Sequence, residues 1–195
     1  MKIVDVSEHN GLVDFGELKA AGIEGAIIRL GYGKSGIDSQ FYNYINKAIE
    51  SGMKVGVYHY SYALDESDAE LEAQFIINTL VQSGLTPDRL ELGVWHDMED
   101  GDGYKERHGM PSNQTLTNIS SVVINRLWQA GYYNAGLYAS YDYIVNKLLM
   151  DQLGCDIWYA QYNYKMDWVD PRIKLWQYTM SENINGQLYD MSRTV

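Results

Sequence analysis

The chain has 195 residues, with 15 Lys and Arg against 26 Asp and Glu, a formal charge of −11. That length buries one substantial core, and the acidic balance excludes a nucleic-acid binder or an anionic-membrane binder, which need basic clusters. The single cysteine, Cys155, excludes a disulfide framework and a Cys-rich metal site.

After Met1 and Lys2 the chain enters Ile3-Val4-Asp5-Val6 directly, far short of a secretory apolar core of about 7–15 residues. The expectation is a protein that starts in a cytoplasm. Nor does any stretch approach the roughly 20 apolar residues of a membrane span. Asp14 with Glu17 three residues on reads as a capping-box variant, opening a helix through Leu18 that closes at Gly22. Ala26–Leu30 follows as a strand. Phe41, Tyr44, Ile45, Ala48 and Ile49 form one helical stripe closed by Gly52. Val55–Tyr60 is the next strand. A third helix is capped near Asp65, carries Ala69, Ala73, Ile76, Ile77 and Leu80, and ends at Gly84. Leu92–Asp97 is a strand, Leu116 to Leu127 a helix ended by Gly131, and Ala135–Ala139 a strand.

Alternating strand and helix implies parallel strands joined by right-handed crossovers. Five such β/α units are complete by about residue 150, and three strand-like segments follow: Ile157–Ala160, Lys174–Tyr178 and Gln187–Asp190. Eight strands suggest a closed barrel, yet 195 residues is short for the usual ~250. A single-domain, irregular TIM-like (β/α)5β3 barrel over residues 1–195 satisfies both. The alternative, an open doubly wound sheet, lacks its glycine-rich nucleotide fingerprints.

Carboxylates recur at the strand ends where barrel enzymes build their sites. Asp5 ends the first strand, Asp97 and Glu99 end the fourth and share a side, and Asp190 ends the last. Such a cluster suits glycoside hydrolysis, in which one carboxyl stays protonated to donate to the leaving oxygen. Metal binding by His96, Asp97, Glu99 and His108 is the rival use, but no recognised ligand spacing appears. A calcium loop from Asp100 fails because its twelfth position is Pro111. Residues 100–113 read instead as a polar rim. Neither Cys155 nor a G-x-S-x-G elbow offers a nucleophile, and no metal or other cofactor is expected.

The aromatic residues, 17 Tyr and 5 Trp against 3 Phe, gather where the acids do. Tyr58, Tyr60, Tyr62, Tyr138, Tyr162, Trp176 and the neighbouring Gln177 offer flat faces and polar handles to sugar rings. Tyr44 and Trp128 are expected to pack in the core.

The ordered set Asp5-Val6-Ser7, Ile28-Arg29, Gly56-Val57-Tyr58-His59-Tyr60, Asp97-Met98-Glu99, Trp176-Gln177-Tyr178 and Tyr189-Asp190 resembles glycoside hydrolase family 25 across the whole chain. These are the Chalaropsis-type lysozymes, or N-acetylmuramidases, of phage endolysins and bacterial autolysins. The resemblance implies a flattened barrel of five β/α units and three further strands. It also implies cleavage of the β-1,4 bond from N-acetylmuramic acid to N-acetylglucosamine in peptidoglycan. Glu99 would be the general acid and Asp97 would orient the 2-acetamido group. Asp5 and Asp190 would complete the acidic floor, and Tyr58 would line the cleaved sugar's subsite. Lys34 is a candidate hand for a muramyl carboxylate or stem peptide. The chain departs from the family's pattern at Glu8-His9-Asn10, often an aromatic and a Gln, and at Ser192, often Asn. A phage-type catalytic domain, waiting in the host cytoplasm and joined to a wall-binding module in a longer chain, is expected. A non-catalytic saccharide-binding barrel and a metal-dependent wall deacetylase or phosphoesterase are the other readings.

Overall fold

The computed structural model describes residues 1–195. The strands are β1 (Lys2–Val6), β2 (Gly25–Tyr32), β3 (Gly36–Ile37), β4 (Lys54–Tyr60), β5 (Val94–Asp97), β6 (Ala135–Ser140), β7 (Asp156–Ala160), β8 (Ile173–Ile184) and β9 (Gln187–Thr194). The helices are α1 (Phe15–Ala20), α2 (Phe41–Glu50), α3 (Glu66–Gln82), α4 (Tyr104–Arg107) and α5 (Asn113–Gln129). Strands β1, β2, β4, β5, β6, β7 and β8 run parallel, each paired to the next. Strand β9 then runs antiparallel between β8 and β1 and closes the barrel. Closure rules out the open doubly wound sheet. No helix is long and apolar enough to cross a membrane.

The capping signals act locally as expected. Asp14 accepts the Glu17 amide at 2.9 Å to start α1, and Asp65 accepts that of Asp68 at 2.9 Å to start α3. Tyr44 is buried and its hydroxyl donates to the Gly11 carbonyl, and Trp128 donates Nε1 to Ala135 O at 3.1 Å. The fifth crossover is shorter than a β/α unit suggests, holding one π-helical turn at Tyr143–Lys147 where a full helix would stand.

Period-two alternation divides the strand residues between two cores. The outward set packs against the helices in one large cluster, while Ile3, Ile27, Trp95, Tyr138, Trp158 and Leu175 fill the barrel interior. Trp158 is the plug's centre, with ring centroids 4.6 Å from Tyr138, 6.0 Å from Trp95 and 6.1 Å from Tyr58. Its Nε1 donates to Ser192 Oγ at 2.9 Å, so the residue that departs from the family pattern completes this plug. Gly136 makes the room: a Cβ there would lie 2.5 Å from Asp156 O and 2.7 Å from the Trp95 ring.

Strands β8 and β9 form a hairpin turned by Asn185 and Gly186, both with positive φ, the backbone of a two-residue type I′ turn. The sequence expectation that Asp190 ends the last strand is corrected. Strand β9 continues to Thr194 and runs antiparallel to its neighbours, so Asp190 lies within it. It reaches the C-terminal mouth because its register partner there is Asp5.

Candidate active site

Four carboxylates converge on the barrel mouth from β1, β5 and β9. Asp5 and Asp190 face one another across the β1–β9 ladder, while Asp97 ends β5 between Tyr60 of β4 and Tyr138 of β6. Asp5 and Asp97 are buried and Glu99 is half-buried. Gln177 of β8 donates Nε2 to both Asp5 oxygens at 3.0 and 3.1 Å. Its Oε1 accepts the Tyr138 hydroxyl at 2.9 Å and the Tyr162 hydroxyl at 3.1 Å. One amide thus fixes Asp5 and two phenols together.

Burial followed by mutual repulsion raises these acids above the usual carboxylate range. Burial and then Asp190 push Asp5 well up, while Gln177 pulls it partly back. Burial and then Glu99 push Asp97 well up. Glu99 is raised by burial against the downward pull of Lys105, and burial lifts Asp190 to about 6. A carboxyl raised in this way keeps its proton to higher pH than a solvated one, which a general acid needs. Asp97 Oδ1 is buried without a hydrogen-bond partner, an acceptor that the protein leaves unsatisfied.

Beside the acids lies a cavity of about 460 Å³ whose wall includes Glu99, Arg29, Glu8, Tyr60, Tyr62 and Asp102. Tyr62 donates to Asp102 Oδ2 at 2.8 Å, and Tyr60 to Asp102 Oδ1 at 3.3 Å. Tyr62 also meets Tyr60, Tyr104 and Tyr32 edge-on at centroid distances of 5.1, 4.8 and 6.2 Å. The result is an aromatic wall with its hydroxyls held in place. Arg29 is clamped by Asp38 at 2.7 Å and Glu8 at 2.9 Å. Glu8 also accepts the Ser39 amide at 3.1 Å, so the departure at position 8 serves as the outer half of this clamp.

Of the residues expected here, Asp5, Asp97, Glu99, Asp190, Tyr60, Tyr62, Tyr138, Tyr162 and Gln177 come together. Tyr58 sits one layer deeper against Trp158, with Asp5 and Asp97 among the charges acting on it. Two residues are placed elsewhere. Trp176 is buried on the outer face of β8, because alternation sends it opposite to Gln177, and its Nε1 is spent on Gln161 O at 2.8 Å. Lys34 pairs with Asp68 at 2.7 Å near the start of α3, outside the cavity wall. The imagined metal ligands do not converge either: His96 turns toward the helices, and His108 is exposed against Tyr104. Sequence reasoning missed Arg29 with Asp38, the buried Lys105, and Tyr32, Asp102 and Tyr104. For Asp102 the signal was its place in the rim loop opposite Tyr60 and Tyr62. For Lys105 none existed.

The sequence matches the pattern described as "Glycosyl hydrolases family 25" over residues 4–187. The chain belongs to glycosyl hydrolase family 25. This family 25 chain is 28% identical over 190 residues to the autolytic lysozyme of Clostridium acetobutylicum, covering 95% of itself and 52% of that protein. It is similar to the modular autolysin LytC of Streptococcus pneumoniae, with TM-score 0.86 and 28% identity over 98% of itself and 46% of LytC. A family 25 glycosyl hydrolase from Bacillus anthracis superposes with TM-score 0.83 at 26% identity, covering 98% of this chain and 87% of that one. The chain thus spans about half the length of the autolytic lysozyme and of LytC.

Proposed function

We propose that this family 25 domain is a peptidoglycan muramidase, cleaving the β-1,4 bond between N-acetylmuramic acid and N-acetylglucosamine. The observation that carries the proposal is the pairing of Glu99, raised by burial and on the cavity wall, with Asp97, whose Oδ1 has no protein partner. Glu99 gives its proton to the leaving glycosidic oxygen. Asp97 accepts the N–H of the 2-acetamido group and turns the acetamido carbonyl oxygen toward the anomeric carbon. That oxygen bonds to the anomeric carbon as the glycosidic bond breaks, and the glycosidic electron pair leaves with the proton from Glu99. Water then attacks the anomeric carbon and gives its proton to Glu99, while the bond from the acetamido oxygen breaks and its electron pair returns to the acetamido group. Asp5 and Asp190 stabilise positive charge at the sugar ring, and Tyr60 and Tyr62 present faces and fixed hydroxyls to it. LytC has been solved with a synthetic peptidoglycan ligand, which supports the substrate class.

Digestion of purified Gram-positive peptidoglycan followed by borohydride reduction tests the bond assignment. Muramitol is expected. Glucosaminitol, or no new reducing ends, refutes it.

Within the same proposal the domain is of the phage-endolysin type, held in the host bacterial cytoplasm until it reaches the wall. Its likeness in fold to the CTP1L endolysin and to the endolysin of Listeria phage P40 accords with this reading. The −11 charge opposes approach to anionic wall polymers, so a separate wall-binding module is part of the reading. Expression in a Gram-positive cytoplasm should leave cells intact until a membrane pore is opened; lysis without the pore refutes this arrangement.

A further inference from the structure

Lys105 is fully buried in α4, within the rim loop. A lysine that far from water needs its ammonium satisfied. Its Nζ donates to the backbone carbonyl of Glu99 at 2.8 Å and to that of Ser61, and lies 5.7 Å from the centre of the Tyr60 ring. Ser61 is held in turn, since its hydroxyl donates to Glu72 Oε2 at 2.7 Å and the next amide, Tyr62 N, donates to Glu72 Oε1 at 2.7 Å. The other end of the loop is pinned by Asp100, whose carboxyl accepts the amides of Lys105 at 2.7 Å and Glu106 at 2.9 Å. These bonds make a continuous brace from α3 through the end of β4 to the backbone of Glu99.

The brace lies where the strand ladder gives out. The last ladder-like bonds beyond β5 run from Ser61 N to Asp97 O and from Met98 N to Tyr138 O, each at 3.0 Å. Glu99 is the next residue, and its carbonyl depends on a side chain. We propose that Lys105 is a positioning residue for Glu99, setting where the acid's carboxyl meets the glycosidic oxygen. The inference rests on the muramidase reading.

The ammonium also sets the electrostatics of the pair it braces. It faces Glu72 from α3, Tyr60 and His59 from β4, His96 and Asp97 from β5, and Glu99, Asp100 and Asp102 from the loop. Its charge favours ionisation of both Asp97 and Glu99, opposing their burial. Removing it raises both acids, so both limbs of the pH–rate profile move upward. A group that only stabilises the loop would lower activity without moving either limb.

The experiment compares wild type with Lys105→Met and with Lys105→Met/Glu72→Gln, the second also removing the buried Glu72 charge that Lys105 offsets. Reducing-end release from soluble peptidoglycan glycan chains is followed from pH 4 to 8, with borohydride identification of the ends and a thermal melt of each variant. In folded variants kcat should fall by about tenfold or more, as expected for a displaced catalytic group. KM should stay within about threefold, and both limbs should rise by about 1 pH unit. A folded variant whose limbs do not move overturns the inference, whatever its rate. Loss of folding in both variants also overturns it, since Lys105 would then serve the fold rather than the acid. Failure of the wild type to release muramitol ends fails the muramidase reading; muramitol release with unmoved limbs fails only the role of Lys105.

Discussion

Asp190→Asn should make the protein more stable and less active. The carboxyl of Asp190 is lifted from 3.8 to about 6 by burial, and it faces Asp5 directly across the β1–β9 ladder. An acid raised in the folded state binds its proton more tightly there than in the unfolded chain. Stability therefore falls as pH climbs through the window from 3.8 to about 6, and the whole cost is present at neutral pH. At about 1.4 kcal/mol per unit the ceiling is near 3 kcal/mol, and screening at this half-buried group reduces it to about 1–2 kcal/mol. For a domain of this size that corresponds to a Tm rise of about 3–6 °C. Calorimetry of both proteins at pH 7.5 and pH 4 reads it out. The Asn variant should melt higher at pH 7.5, and the difference should shrink to about 1 °C at pH 4, where the wild-type carboxyl is protonated in the fold. A variant that melts at or below wild type at pH 7.5, or with the same offset at both pH values, refutes the electrostatic account. Its hydrolytic rate should drop, because strain kept at a catalytic site costs stability.

Other consequences are equally direct. Gly136→Ala places a methyl against Asp156 O and the Trp95 ring and should cost about 1–3 kcal/mol in urea unfolding; a neutral result would mean the barrel interior is looser than the Trp158 plug indicates. Trp176→Phe should lose stability through the bond to Gln161 O but keep the wild-type KM, whereas Tyr62→Ala should raise KM. Equal KM effects from the two would place Trp176 in the site after all.

Much of the architecture was legible because it rests on local rules. Asp14 and Asp65 mark helix starts through their own side-chain bonds, and the Phe41 to Ile49 stripe fixes the buried face of α2. Asp5, Asp97 and Glu99 were legible because strand alternation and strand ends follow from spacing, whereas Asp190 lies inside β9 and reaches the mouth through its register with Asp5. Trp176 was misplaced because adjacency in sequence to Gln177 means opposition across a strand. The β8–β9 hairpin carried a readable signal, Asn185-Gly186, and with it the direction of β9. Lys105 and the Arg29–Asp38–Glu8 clamp were illegible for a different reason. Their partners sit on separate elements at no regular spacing, and no periodicity distinguishes a braced lysine in a polar loop from a solvated one.

The central claim is that Glu99 supplies the proton for glycosidic cleavage. Glu99→Gln keeps the shape of the side chain and removes the proton. Measured together on peptidoglycan, muramitol-end release by Glu99→Gln should fall by about 10²–10⁴, with sedimentation binding to the same peptidoglycan within about twofold of wild type. Release within tenfold of wild type by a folded Glu99→Gln protein would contradict it.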